Sequence, residues 1–167
     1  PLGKIGERAG RAVVIGAGGA ARAVVHALAA AGFRVDIANR DLGKAERLAA
    51  ELGGPGGGAM PLAALADLDL PADGSRIDLI VNSSVLGMTG APPLDIGLDR
   101  VAPSVIVYDI VYAPLDTPLL VAARRRGHPT VDGLAMLIGQ AAVAFRRFYG
   151  VAPPRDADAA LRAMLTA

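Results

Sequence analysis

The amino-acid sequence predicts an α/β fold in which a doubly wound, mainly parallel sheet carries helices on both of its faces. Three observations indicate this class. Short apolar runs rich in valine and isoleucine recur along the chain, as is typical of buried parallel strands. Alanine-rich segments of helical length separate these runs, and a glycine follows several of them. Strand and helix therefore alternate, which is the order of elements in a sheet built from βαβ units.

The first half of the chain supplies a regular series of such elements. Gly32 stands where the first helix should stop, and Gly53 and Gly54 follow the second helix. Residues 55–58, one proline and three glycines, predict a surface connection to a brief third strand. The predicted strands lie at residues 12–15, 35–38 and 59–60, the predicted helices at 20–31 and 42–52, and a short helical turn at 61–68.

The second half continues the alternation. Thr117 and Pro118 are residue types preferred at the N-cap and the first helical position, and arginines at 124–126 favour the C-terminal end of that helix. The predicted strands lie at 77–81, 105–108 and 130–131, and the predicted helices at 118–126, 134–149 and 156–165. At 167 residues the chain fits one domain, with residues 1–150 as its body and 151–167 as a helical tail of the same domain.

The composition excludes several classes of site and partner. With no cysteine and only His26 and His128, we expect no disulfide framework, no thiolate catalysis and no metal site. A formal charge of +1, from 17 basic and 16 acidic residues, gives no global attraction to nucleic acid or to an anionic membrane. The longest uncharged run, residues 79–94, is interrupted by Asn82, glycines and prolines, and we expect no membrane span. No secretory signal opens the sequence, and we predict a cytoplasmic location.

A glycine-rich turn connects the first predicted strand to the first predicted helix. Its pattern is Gly16-x-Gly18-x-x-Ala21, with Ala17, Gly19 and Ala20 at the intervening positions. Gly16 permits a tight turn, Gly18 removes a Cβ from the path of a phosphate, and Ala21 lets the helix press on the sheet. Amides of the first helical turn then bind the anion. The pattern predicts a pyrophosphate site in a Rossmann-like fold, and the alternative is a connection of the same shape that binds no ligand.

The end of the second predicted strand indicates which dinucleotide binds. An NAD site usually has an acidic residue there, which accepts hydrogen bonds from the ribose 2′-hydroxyl. This chain has Asn39 and Arg40, with Lys44 one helical turn later, a set that suits a 2′-phosphate and favours NADP over NAD. Asp41 opposes a phosphate unless its carboxylate turns outward or caps the helix that starts near Leu42. The alternative for Arg40 and Lys44 is a solvated surface pair.

Five ordered blocks of the sequence carry a resemblance to a known family. They are residues 16–23 (GAGGAARA), 39–40 (NR), 82–88 (NSSVLGM), 109–120 (DIVYAPLDTPLL), and 132–137 (DGLAML) with Gln140. In all five the chain resembles the shikimate dehydrogenase family. Members of that family reduce 3-dehydroshikimate to shikimate with NADPH, in aromatic amino acid biosynthesis. The resemblance implies this oxidoreductase activity for a parent protein in which the present chain is the C-terminal NADP-binding domain.

The resemblance also implies roles for individual residues. The implied cofactor contacts beyond the glycine turn are Asn39, Arg40 and Lys44 at the adenosine phosphate, Ser83 and Ser84, the backbone of Ile110 and Gly133 near the nicotinamide, and Met136 against its ring. Tyr112 and Gln140 would reach substrate hydroxyls across an interdomain cleft. Each has a plainer alternative, with Met136 in the core, Tyr112 as an anchor at a strand end, and Gln140 serving its own helix.

No catalytic residue of the family can be assigned to this chain. The family uses a lysine and an aspartate from an N-terminal substrate domain, and the lysines here are Lys44, assigned to the phosphate, and Lys4, which lacks the family's surrounding motif. Because the sequence starts at Pro1, we interpret it as an excised, trimmed or processed chain. We expect it to bind cofactor without catalysing, and a homodimer is one way to cover its exposed cleft face. The alternatives are the cofactor domain of a quinate/shikimate dehydrogenase and a non-catalytic dinucleotide-binding module.

Overall fold

A six-stranded parallel sheet forms the centre of the molecule in the computed structural model, which describes residues 10–66, 68 and 76–166. The strands are β1 (Arg11–Ile15), β2 (Arg34–Asn39), β3 (Gly58–Pro61), β4 (Ile77–Asn82), β5 (Ile106–Asp109) and β6 (Thr130–Val131). The helices are α1 (Gly19–Ala30), α2 (Leu42–Leu52), α3 (Pro118–Arg125), α4 (Gly133–Tyr149) and α5 (Asp158–Leu165). The strand order is β3-β2-β1-β4-β5-β6, which confirms the predicted Rossmann-like, doubly wound α/β fold.

The strand order reverses at β1, and this position sets the ligand-binding edge of the sheet. Ile15, the last residue of β1, lies beside Ala38 of β2 and Asn82 of β4. Asn82 in turn lies beside Asp109, the last residue of β5. The carboxyl ends of β2, β1, β4 and β5 therefore meet at one edge, where ligands of open α/β sheets bind.

Alternate residues of β1 divide between two apolar layers, because successive side chains of a strand point to opposite faces. Ala12 and Val14 belong to the layer covered by α1 and α2, which contribute Ala21, Val25, Leu28, Ala45 and Leu48. Val13 and Ile15 belong to the other layer, which contains Leu65, Leu98 and, from α3, Leu119, Leu120 and Ala123. Helices thus cover both faces of the sheet, as predicted.

The last two helices are packed less completely than the others. The buried residues of α4 lie in its N-terminal half and are Gly133, Leu134 and Ile138. None of the residues of α5, all of which the structure describes, is buried. Within the described parts of the chain, no helix is long and apolar enough to cross a membrane.

The element boundaries follow local hydrogen bonding. Thr117 caps α3, with its side chain accepting from Leu120 N, and Pro118 opens the helix as predicted. Val105 was assigned to a strand, but its N–H donates to Ala102 O at 2.9 Å and closes a turn, so β5 starts one residue later. The last helix starts at Asp158 instead of 156, because a 3₁₀ turn precedes it at Arg155–Ala157. The predicted turn at 61–68 is a 3₁₀ helix at Leu62–Leu65, and residue 67 lies outside the described residues.

Candidate functional site

The turn between β1 and α1 has a backbone conformation that favours glycine at its first position. Gly16 has a φ of +108°, a region that side chains rarely adopt. A Cβ on Gly16 would lie 3.2 Å from Ser83 Oγ and 3.3 Å from the Ser83 carbonyl carbon. Gly16 N donates to Ala38 O at 2.8 Å. Contacts with the neighbouring strands therefore constrain the path of this turn.

Contacts within the described molecule do not explain why the next two glycine positions, 18 and 19, carry glycine. Gly18 and Gly19 are exposed, and a Cβ on either would meet nothing within 4 Å in the described molecule. Gly18 is the N-cap of α1 and leaves the helix without a side-chain acceptor for its first amides. Ala21, by contrast, is fully buried against the sheet. The start of α1 thus combines N–H groups that need an acceptor with open space in front of them, the combination that an anion requires.

Asp41 is turned toward α2 at the end of β2. Its Oδ1 accepts from Lys44 N at 3.1 Å, which makes it the N-cap of α2. Its Oδ2 lies 3.9 Å from Lys44 Nζ. Asn39 Nδ2 donates to Asp41 O at 2.9 Å, which fixes the bend between strand and helix. The Asp41 carboxylate therefore caps α2, which is the condition given above for a phosphate to bind nearby.

Arg40 borders a hollow next to the end of β3, whose last residue, Pro61, is also part of the lining. The hollow has a volume of about 470 Å³, and its lining includes Leu62, Leu86, Pro93 and Leu94. Arg40 itself is exposed. The lining also includes the carboxylate of Asp95.

Ser83 and Ser84 support the glycine turn from the end of β4. Ser83 Oγ donates to Ile15 O at 2.7 Å, and Ser83 N donates to the same oxygen at 2.9 Å. Ser84 Oγ donates to Asn82 Oδ1 at 2.7 Å and accepts from Leu86 N at 3.2 Å. Both hydroxyl protons are thus used within the protein. Contact between these serines and a cofactor remains a prediction.

A buried polar network joins the ends of β4 and β5. Asn82 Nδ2 donates to Asp109 Oδ1 at 3.0 Å and to Leu86 O at 2.9 Å. Val111 N donates to the same carboxyl oxygen at 3.0 Å, and Thr117 Oγ1 donates to Asp109 Oδ2 at 2.7 Å. Burial raises the pKa of Asp109, and the hydrogen bonds from Thr117, Val111 and Asn82 oppose the shift. The network fixes the two loops that border the ligand edge.

Gly133 packs directly on the backbone that follows β5. A Cβ at this position would lie 2.2 Å from Ile110 O and 2.4 Å from Val111 O. Gly133 N faces Val111 O at 3.3 Å. Asp132 Oδ1 accepts from Ala135 N at 3.1 Å and caps α4. The structure thus brings together Ile110 and Gly133, the two residues whose backbone was predicted to lie near a nicotinamide.

A large apolar groove opens between α1 and α4 on one face of the sheet. Its volume is about 690 Å³, and its lining includes Ala27 of α1, Leu79 and Tyr108 of the sheet, and Met136 and Gln140 of α4. Burial, followed by the charge of Asp132, raises the pKa of Tyr108 to about 12. Met136 and Gln140 therefore share one wall. Tyr112, in the loop after β5, is 58% exposed and is absent from the described lining.

Comparisons with known proteins identify relatives of this chain. Two family models match the sequence, Shikimate / quinate 5-dehydrogenase over residues 4–83 and Shikimate 5′-dehydrogenase C-terminal domain over residues 133–161. Shikimate dehydrogenase (NADP(+)) of Sphingopyxis alaskensis is 49% identical over 168 residues, covering 100% of this chain and 58% of that protein. The protein of the same name from Methylobacterium radiotolerans is 52% identical, with 88% and 51% covered. This chain belongs to the shikimate dehydrogenase family. It spans about half the length of the curated relatives that it matches.

Solved structures of shikimate dehydrogenase relatives have the same fold. Quinate dehydrogenase from Corynebacterium glutamicum, in complex with NAD, matches with a TM-score of 0.78 at 31% identity, covering 90% of this chain and 54% of that one. Shikimate 5-dehydrogenase from Thermus thermophilus, in complex with NADP(H) and shikimate, matches with a TM-score of 0.69 at 34% identity, covering 88% and 52%. The resemblance that the five sequence blocks predicted is therefore confirmed at the level of family and fold.

The sequence prediction missed two pairings at this candidate site. Thr117 was predicted as a helix cap, and its contact with Asp109 was not predicted. Arg162, on α5, pairs with Asp132 from 30 residues away. An N-cap signal existed for Asp132, which precedes an apolar helix. No comparable signal existed for Arg162, because an arginine on an exposed tail helix usually faces solvent.

Proposed function

We propose that this chain is the NADP(H)-binding part of a shikimate dehydrogenase, an oxidoreductase that reduces 3-dehydroshikimate to shikimate. The observation that carries the proposal is the open glycine turn at the start of α1, beside the basic end of β2. Amides at Gly18, Gly19 and Ala20 would bind the pyrophosphate, helped by the positive end of the helix dipole. The names of the curated relatives and the NADP(H) complex of the Thermus thermophilus enzyme support NADP as the dinucleotide.

Arg40 and Lys44 would bind the 2′-phosphate that distinguishes NADP from NAD. Asp41 is compatible with this role because its carboxylate caps α2 and lies 3.9 Å from Lys44 Nζ. Lys44 would then be shared between Asp41 and the phosphate. Asn39 occupies the position where an NAD site has an acidic residue, and its amide is used on the backbone. The hollow beside Arg40, which is lined by apolar residues and by Asp95, is wide enough for an adenine ring.

The nicotinamide half would lie against the turn between β6 and α4. When bound, NADPH supplies the hydride that the reaction requires. The backbone of Ile110 and Gly133 would orient the carboxamide, and Met136 would pack on the ring. The close approach of Gly133 to the carbonyl oxygens of Ile110 and Val111 supports this assignment, because it defines a narrow and rigid edge.

We also infer that these 167 residues bind cofactor without transferring hydride to a substrate. Hydride transfer needs the acceptor held beside a proton donor. Lys44 lies at the adenosine end, and Lys4 lies outside the described residues. Tyr112 and Gln140 would supply one side of a substrate cleft. The other side would come from a substrate domain in the additional length that the relatives have. A cytoplasmic location and a homodimer remain predictions.

A quinate/shikimate dehydrogenase is the second candidate. The family model that covers residues 4–83 includes quinate dehydrogenases, and the quinate dehydrogenase of Corynebacterium glutamicum has the same fold at 31% identity. The predicted cofactor residues would serve either activity. A non-catalytic dinucleotide-binding module has less support, because such a module does not need an exposed Tyr112 beside the ligand edge.

Calorimetric titration with NADP and with NAD tests the proposal. Arg40→Ala should weaken NADP binding by about 1.5–3 kcal/mol, since a charge-assisted contact is lost, and should leave NAD binding unchanged. Arg125→Ala removes the same charge from an exposed position on α3 and is the matched control. Equal NADP affinity in Arg40→Ala and Arg125→Ala would contradict the assignment of the 2′-phosphate.

A spectrophotometric assay tests the inference about catalysis. The purified 167-residue chain is mixed with shikimate and NADP, and NADPH formation is followed. We expect no rate above that of a sample without protein. A clear shikimate-dependent rate would overturn the inference, while leaving the cofactor assignment intact.

A further inference from the structure

The last helix meets the turn before α4 through one bidentate pair. Arg162 Nη1 donates to Asp132 Oδ1 at 3.0 Å, and Arg162 Nη2 donates to Asp132 Oδ2. The helix that carries Arg162, α5, buries none of its own residues. Apolar packing therefore holds α5 weakly, and the pair gives it a specific attachment to the rest of the fold.

Asp132 is held from two directions. Its carboxylate caps α4 through Ala135 N and binds the guanidinium of Arg162. The Asp132 side chain is 12% exposed and that of Arg162 is 39% exposed. The hydrogen bond from Arg162 is the main reason why the pKa of Asp132 lies below its usual range. A carboxylate that is ionised and largely buried depends on its partner, because removal from water disfavours the charge.

The residues that follow Asp132 tolerate little displacement, because Gly133 packs closely on the neighbouring backbone. Gly133 touches the carbonyl oxygens of Ile110 and Val111, where even a Cβ would not fit. Met136 lies one helical turn further along α4 and lines the groove. A displacement of Asp132 would therefore carry both the glycine and the methionine away from their places at the ligand edge.

We propose that Arg162 is a positioning residue for the nicotinamide half of the cofactor site. It acts through Asp132, whose placement fixes Gly133 and Met136. The C-terminal helix α5 thereby contributes to the cofactor site. This inference rests on the proposed function. Arg155 offers a matched control, because it pairs with Asp158 at 2.6 Å, and neither residue belongs to the turn before α4.

Two ligands separate this role from a general loss of structure. NADP contains the nicotinamide, whereas 2′,5′-ADP carries only the adenosine end. In calorimetric titrations of the 167-residue chain, Arg162→Ala should weaken NADP binding on the order of tenfold and change 2′,5′-ADP binding by less than about twofold. Arg155→Ala should change neither. Arg162→Lys should recover part of the loss, since it keeps the charge without the bidentate geometry.

A double-mutant cycle tests whether Arg162 acts through Asp132. Asp132→Asn keeps a helix cap but loses the charge, and it should match Arg162→Ala. The double variant should show no further loss. Additive losses in the double variant would overturn the inference, and so would equal losses for NADP and 2′,5′-ADP or identical NADP affinities in Arg162→Ala and Arg155→Ala.

Titration of the unaltered chain separates a failure of this inference from a failure of the proposed function on which it rests. If it binds neither NADP nor 2′,5′-ADP, the proposed function fails together with the inference. If it binds both ligands equally tightly, the turn at Gly133 does not hold the nicotinamide. That result overturns the inference and leaves the pyrophosphate and adenosine assignments standing.

Discussion

The hydroxyl of Thr117 donates to Asp109 Oδ2 at 2.7 Å and accepts from Leu120 N at 3.3 Å. Both Thr117 and Asp109 are fully buried. The Thr117 side chain therefore binds the last residue of β5 and caps the start of α3 at the same time. The loop between them carries Ile110 and Tyr112, so this pair sets the position of a predicted cofactor contact and a predicted substrate contact.

Thr117→Val should destabilise the fold by about 2–4 kcal/mol, because it removes a buried hydrogen bond to a carboxyl group together with a helix cap. Valine has nearly the same shape, so the loss reports the hydroxyl and not a cavity. Thr117→Ser keeps the hydroxyl and should cost less than about 1.5 kcal/mol. Urea unfolding followed by circular dichroism measures both. Equal losses in the two variants would show that the hydroxyl does not carry this stability.

Gly16 and Gly18 should respond differently to alanine. Alanine at position 16 would have to adopt a φ of +108° and would press on Ser83. Gly16→Ala should therefore cost about 1–3 kcal/mol of stability. Gly18→Ala meets open space and should cost no more than about 1 kcal/mol, the usual price of alanine at an N-cap. Its Cβ enters the space proposed for the pyrophosphate, so NADP binding should weaken on the order of tenfold or more.

Unfolding and titration measurements on each variant check this pair of expectations. Gly19→Ala, at the neighbouring exposed position, shows how far the effect depends on the exact site of the added methyl group. Unchanged NADP affinity in Gly18→Ala would remove the support that the open turn gives to the pyrophosphate site.

Tyr108 should ionise late in the folded protein. Burial is the larger cause and the negative charge of Asp132 the smaller, and together they raise its pKa to about 12, from an ordinary value of 10.0. A folded pKa above the unfolded one means that the associated stability is fully present below the ordinary value. It is lost as the pH rises through the folded pKa. The unaltered chain should therefore lose stability relative to Tyr108→Phe in this alkaline window.

Ultraviolet absorbance of the phenolate checks the titration directly. Tyr108→Phe should remove the late step. Asp132→Asn should move it to lower pH, because the nearby negative charge disappears. A step that stays in place in Asp132→Asn would leave burial as its sole cause.

Local signals in the sequence predicted most of the fold. β-branched runs marked the strands, and glycine, threonine and proline marked helix ends such as Thr117-Pro118, where the cap chemistry is local. Several boundaries differ by one or two residues, and those at Val105 and at the start of α5 depend on turns whose hydrogen bonds compete with the regular element. The strand–turn–helix context that the glycine pattern at residues 16–21 requires is present, while the pyrophosphate site itself stays a prediction.

The sequence by itself determined the fold class, the glycine turn and the family, since each depends on residues close together along the chain. Only the tertiary structure decided which distant side chains meet. It joined Asp109 to Asn82 and Asp132 to Arg162, and it left open space in front of Gly18 while filling the space around Gly133. Contacts between residues far apart in the chain depend on how strands and helices pack, and a pattern of neighbouring residues does not encode that packing.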